Sequence, residues 1–148
     1  MKTFKSILLA TLFIMIASCE SNNEDVESTC VNTCDYTLTS NETAGTVPSS
    51  LEGTYTLTFD KSPQSSNTYY SDGIMGTFTI SNNTLTVEID GKECITISNP
   101  VQTSASENTF KNTCGTNITY AVSTNSSGDL NEINAITLSG QFLGQFTE

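Results

Sequence analysis

The chain has 148 residues, with 16 acidic against 5 basic side chains, no histidine and no tryptophan, for a formal net charge of −11. Phosphate contacts are made mainly by lysine and arginine, so this balance excludes a nucleic-acid-binding surface. The missing histidine removes the commonest general base and metal ligand, and no Gly-x-Ser-x-Gly elbow, phosphate loop or metalloprotease helix takes its place. The expectation is a non-enzyme with no catalytic residue, no metal and no cofactor.

The amino terminus opens with Lys2 and Lys5, followed by the uncharged apolar run from Ile7 to Ile16 and then small residues. This is the layout of a secretory signal. The run is shorter than the roughly 20 residues that a membrane-spanning helix needs. Ile16-Ala17-Ser18-Cys19 resembles the lipobox of bacterial lipoproteins. The resemblance implies cleavage after Ser18 and acylation of Cys19, with more than one chain of the palmitate kind. A single chain holds a protein to a bilayer only marginally, at about 0.8 kcal/mol per buried methylene.

Residues 1–18 are therefore expected to be a signal peptide, residues 19–34 a lipidated cysteine and acidic disordered tether, and residues 35–148 a β domain. The tether carries Glu20, Glu24, Asp25 and Glu27 without an aromatic residue, too little apolar surface to fold. Such an acidic cluster after the lipidated cysteine resembles the surface-export signal of some diderm bacteria; the alternative is a solvated linker without an address. The implied location is the outer membrane, at the cell surface or, alternatively, on its periplasmic face. Removing residues 1–18 leaves three lysines against sixteen carboxylates, a net charge of −13. That charge keeps a secreted domain soluble or draws in a cationic protein.

Beyond Cys19, four cysteines remain: Cys30, Cys34, Cys94 and Cys114. An even number in an oxidising compartment points to two disulfides. Cys94 with Cys114, clipping neighbouring strands, and Cys30 with Cys34, closing a small local loop, are the favoured pairs. A zinc site would need paired knuckles that this spacing lacks, and a redox pair would more typically be Cys-x-x-Cys.

From about Tyr36 the pattern has a period of two. Asp35–Thr39 is a first candidate strand, and Thr54–Phe59 alternates threonine with large apolar residues, as a strand with one wet face should. Ile74, Phe78 and Ile80 share a face opposite Met75, Thr77 and Thr79. Leu85, Val87 and Ile89 repeat this opposite Thr84, Thr86, Glu88 and Asp90. Ile95 and Ile97 follow, then a second candidate at Thr109–Lys111, then Ile118, Tyr120 and Val122. Ile136 and Leu138 lead to Phe142 and Phe146 at the end. Asp90-Gly91 reads as a type I′ hairpin turn, in which both central residues take positive φ. Ser81-Asn82-Asn83 turns through asparagine's tolerance of left-handed geometry. Asn99-Pro100 ends a strand, because proline has no amide hydrogen for the ladder. Glu88 and Asp90 lie on one strand face, but opposite the apolar one, which makes them solvent-facing charges rather than a glycosidase pair.

Seven or eight short strands in one all-β domain must hide their edges, and a small antiparallel up-and-down barrel does so; a β-sandwich is the alternative. Leu51-Glu52-Gly53-Thr54-Tyr55-Thr56-Leu57 is similar to the first-strand signature of lipocalins, with Tyr55 in place of the tryptophan that plugs the closed end. Gly76–Val87 is similar to the central hairpin of small lipocalin-like lipoproteins. The resemblance covers about residues 50–146 in pattern but only these two segments in detail, and the family's later arginine is absent. It implies a barrel that binds a small apolar ligand at its open end, with Tyr69 and Tyr70 of the Lys61–Gly73 loop at the rim and Tyr55, Phe78 and Tyr120 inside. Each of these residues also has a plain structural reading, as loop staple or core. Two functions follow for a monomer held to the membrane by its lipid: a ligand-binding or carrier module, or a protein-binding surface module such as an inhibitor of a cationic lytic enzyme. A purely structural surface protein is the third reading.

Overall fold

The computed structural model describes residues 30–66 and 68–148. The signal, Cys19 and most of the expected tether lie outside the described residues. Ten strands run in chain order: β1 Thr33–Asp35, β2 Gly53–Lys61, β3 Met75–Ser81, β4 Thr84–Ile89, β5 Glu93–Ser98, β6 Val101–Ser104, β7 Glu107–Lys111, β8 Ile118–Thr124, β9 Leu130–Thr137 and β10 Phe142–Thr147. Among the described residues the one helical segment is a 3₁₀ turn at Ser49–Leu51. No helix among them is long and apolar enough to cross a membrane.

All ten strands form one curled sheet in the order β1-β5-β4-β3-β2-β10-β9-β8-β7-β6, a half-barrel. Each pairing is antiparallel except β1 with β5. Two strands beyond the upper expectation come from the short β1 and β6, which lie at the two ends of the strand order and carry too few residues to show a period. β1 also crosses the expected boundary between tether and domain: Cys34 is buried and Asp35 pairs with Ser98, so the folded unit begins before residue 35. Tyr36–Thr39, expected in the same strand, lies outside it.

Strand periodicity converts directly into burial along β2 to β5. Leu57 and Phe59, then Phe78 and Ile80, then Leu85, Val87 and Ile89, then Ile95 and Ile97 all point into the curl, while the intervening threonines face outward. The pattern slips near the carboxyl terminus. Ile133 and Ala135 are the buried residues of β9, whereas Leu138 and Phe142 are exposed. Leu138 falls outward because β9 keeps the parity of Ile133, Ala135 and Thr137, which face Val122, Tyr120 and Ile118. Phe142 does so because a bulge in the β9–β10 pairing between Phe142 and Gly144 shifts side-chain parity by one along β10. Gly144 permits it: φ is +154°, and a Cβ there would meet the Asp60 carbonyl and lie 2.6 Å from the Phe59 ring.

The turns correct one expectation. The type I′ geometry belongs to Asn82-Asn83, both with positive φ, closing the hairpin in which Ser81 faces Thr84. In the β4–β5 turn only Gly91 has positive φ; Ile89 faces Glu93 across a three-residue loop, and the Lys92 amide donates to the Ile89 carbonyl at 2.9 Å. The extra residue places Lys92 in the turn and Glu93 on the inward face.

The disulfides are Cys30–Cys94 and Cys34–Cys114, not Cys94–Cys114 and Cys30–Cys34. Parallel alignment of β1 beside β5 sets Cys34 opposite Ile97, with Cys30 beside Cys94 near the start of β5 and Cys34 beside Cys114 in the turn between β7 and β8. The bonds tie the leading segment across the unpaired seam between β5 and β7. Further along, the Thr43–Gly45 stretch covers β6 through Gly45–Pro100 and Gln102–Thr43 backbone bonds. The ends of β2, β4, β7 and β9 and the starts of β3, β5, β8 and β10 share one end of the half-barrel with Cys30, here called the Cys30 end.

Candidate functional site at the Cys30 end

The loop between β2 and β3 folds back over the Cys30 end and inserts Tyr70, which is 2% exposed. Its ring lies edge-on to Phe59 at 5.3 Å and to Phe146 at 5.5 Å; Phe146 in turn meets Phe78 at 4.7 Å, and Phe78 meets Tyr120 at 6.2 Å. These tilted and T-shaped arrangements are the favoured packing of aromatic quadrupoles. Phe78, Tyr120 and Phe146 are fully buried.

Of the expected ligand-binding residues, Tyr70, Phe78 and Tyr120 thus meet in one cluster. Tyr69 packs edge-on to Tyr70 at 4.8 Å, donates its hydroxyl to the Lys92 carbonyl at 2.9 Å and lies under the Lys92 ammonium. The two rim tyrosines staple the loop down. Tyr55 sits opposite Phe78 across β2–β3, but its hydroxyl turns to the Leu51 carbonyl at 2.9 Å, closing the far end of the curl.

Where the rings stop, a polar cluster begins around Glu93, which is 9% exposed. Its Oε1 accepts from the Asn112 amide at 2.6 Å and the Thr116 hydroxyl at 3.3 Å. Its Oε2 lies 3.2 Å from both tyrosine hydroxyls, which are 2.5 Å from each other. Two phenol protons can fill only two of these three close contacts; the third is made when Oε2 itself carries a proton. Burial also raises the Glu93 pKa above the ordinary carboxylate value, against the pull of its hydrogen-bond donors, and holds both phenols above theirs. Glu93 escaped the sequence reading, although its signal was present: it occupies the inward parity two residues ahead of Ile95 and four ahead of Ile97. Asn112, fully buried beyond the end of β7, carried no comparable signal.

Two adjoining clefts of about 600 Å³ and 530 Å³ open beside this cluster and share Asn32, Lys92, Glu93 and Cys94 as walls. The larger runs along the outer face past Met75, Thr77 and Glu88; the smaller follows the seam past Ile95 and Thr116. Glu88 is half-buried and Asp90 exposed, on the cleft wall and in the turn. Among the described residues no group of acidic or cysteine side chains is placed to hold a metal ion.

The chemistry available to Glu93 is proton-linked anchoring of the Tyr70 loop. An acid whose folded pKa is raised binds its proton more tightly when folded, so its contribution is fullest below the ordinary value of 4.5 and fades as pH rises through the folded pKa. Glu42 works the other way. Beside the Lys111 ammonium it is held down to about 2, so its contribution is present above 4.5 and is lost as pH falls toward 2. These two groups together therefore favour a stability maximum near the ordinary carboxylate value of 4.5. Glu93→Gln should flatten the decline toward neutral pH while leaving the acid limb intact, read as Tm against pH. An unchanged neutral limb would remove Glu93 as its cause.

Comparison with protein-family models, curated proteins and solved structures found no match for this chain.

Proposed function

We propose that this chain is a lipoprotein anchored through Cys19 in the outer membrane, where its lipocalin-like β domain serves at the cell surface as a binding module for a cationic protein. The observation that carries this reading is the placement of charge. All three lysines of the described residues, Lys61, Lys92 and Lys111, lie at the Cys30 end. The far end carries Glu52, Glu107, Asp129, Glu132 and Glu148 at strand termini, with no described lysine among them. A single-sign surface of this kind accelerates encounter with an oppositely charged partner and is screened by salt. The aromatic filling of the curl supports an external binding surface over an internal one.

The test is surface plasmon resonance against a cationic lytic enzyme such as a lysozyme. Association should slow by roughly tenfold between 50 and 200 mM salt, and by a similar factor in the Glu107→Gln, Asp129→Asn, Glu132→Gln variant at low salt. Binding that ignores both salt and these carboxylates, or no binding at low salt, would count against this reading.

The carrier reading is favoured by one feature, the loop bearing Tyr69 and Tyr70 over the Cys30 end: a small apolar ligand would enter where Tyr70 now sits. Native mass spectrometry of protein from its own host, showing a retained lipid-like molecule, would establish it.

A further inference from the structure

The large hydrophobic side chains exposed among the described residues are Val31, Met75, Leu138 and Phe142. All four lie at the Cys30 end. Val31 follows Cys30, Met75 opens β3, and Leu138 and Phe142 flank the β9–β10 turn. They are 91%, 59%, 43% and 42% exposed, and they sit on separate elements spaced around the rim rather than in one groove. Spread over four elements around one rim, they suit a broad surface better than a single groove.

We propose that this rim is a membrane-docking face, and that the domain stands on the bilayer with its Cys30 end down and its acidic far end outward. The inference rests on the lipid-anchor reading above. Only ten residues separate Cys19 from Cys30, and even fully extended they span about 35 Å. A domain whose longest strand has nine residues is about 30 Å deep along that strand. Seating the far end on the bilayer would stretch the leash along nearly its whole reach, whereas seating the Cys30 end leaves it slack.

Charge agrees with this orientation. Lys61, Lys92 and Lys111 belong to the Cys30 end, where they partly offset Glu42, Asp60, Asp72, Glu88 and Asp90, while carboxylates alone mark the far end. A surface of anionic headgroups therefore repels the far end more than the rim. The apolar tips reach the interface, where amphipathic protein surfaces settle between headgroups and acyl chains.

The native chain has no tryptophan, so single reporters can be introduced without background. Mature protein purified with its lipid is reconstituted in phosphatidylethanolamine–phosphatidylglycerol vesicles containing brominated acyl chains. The variants are Phe142→Trp and Met75→Trp on the rim and Ser126→Trp in a far-end turn. Rim tryptophans should be quenched at least about twofold more than the far-end one, with blue-shifted emission. Equal quenching at both ends, with the lipid mass present on the protein, would overturn the orientation and leave the anchor standing. Intact mass without acyl chains would remove the anchor, and the docking face with it. Rim tryptophans that are shielded equally with and without vesicles would point to a second copy of the chain on this face and overturn the proposal.

Discussion

Replacing Cys34 and Cys114 together by serine should cost about 3.5 kcal/mol of folding stability: the two cysteines are 80 residues apart in sequence, but with Cys30–Cys94 intact the bond closes a ring of only about 26 residues, and its loss returns that entropy to the unfolded chain. A Cys30–Cys34 bond would have closed five residues and contributed only about 2 kcal/mol on the same scale. The native stake is also local. Cys34 is buried, and with Cys114 it holds β1 against the seam, where β5 and β7 share no ladder and Glu93 meets Asn112 only through side chains. Urea unfolding should show the midpoint fall accordingly, with Tm lower by roughly 15 °C or more. A loss under about 1 kcal/mol would mean that the seam is held by other contacts. Peptide mapping of the oxidised protein should recover Cys30 with Cys94 and Cys34 with Cys114.

Phe146→Ala should be of similar size, about 3–5 kcal/mol. The Phe146 ring contacts Phe59 at 4.9 Å, Phe78 at 4.7 Å and Tyr70 at 5.5 Å, so it touches strand neighbours and the inserted loop alike. Truncation removes the transfer energy of the ring and leaves a void that the surrounding rings can close only in part. The space left would be apolar and dry enough to take a benzene-sized guest. Urea unfolding measures the first effect; stabilisation of the variant, but not of the parent, by benzene measures the second. A loss below about 1.5 kcal/mol would show that the half-barrel collapses easily around the missing ring. A parent already stabilised by such a guest would favour the carrier reading over the external binding surface.

The inward sets of β2 to β5 and of β8 were legible because a half-buried strand writes its own geometry as a period of two, and Phe78, Leu85, Val87 and Tyr120 fell where that period put them. The all-β class followed from the same signal. Phe142 was misread because a bulge beside Gly144 reverses parity along β10, and Ile136 and Leu138 because this stretch offers apolar residues at both parities, with Ile133 and Ala135 on the inward one.

The candidate site was half legible. Tyr69 and Tyr70 stood out by composition, but whether the loop lifts away or folds in depends on partners distant in sequence, Glu93 at 23 residues and Tyr120 at 50. A carboxylate on an inward face reads as an error until Asn112, Thr116 and two phenols are seen to converge on it.

By itself, the sequence determined the class of secondary structure, the inward faces of the regular strands, the acidic balance and the expectation of a lipidated Cys19, all of which are local or additive properties. Tertiary structure alone decided the disulfide pairing, the burial of Glu93, the packing of the curl and the gathering of lysines and exposed apolar tips at one end. These depend on which distant segments the sheet brings side by side, and neither local spacing nor composition encodes such proximity.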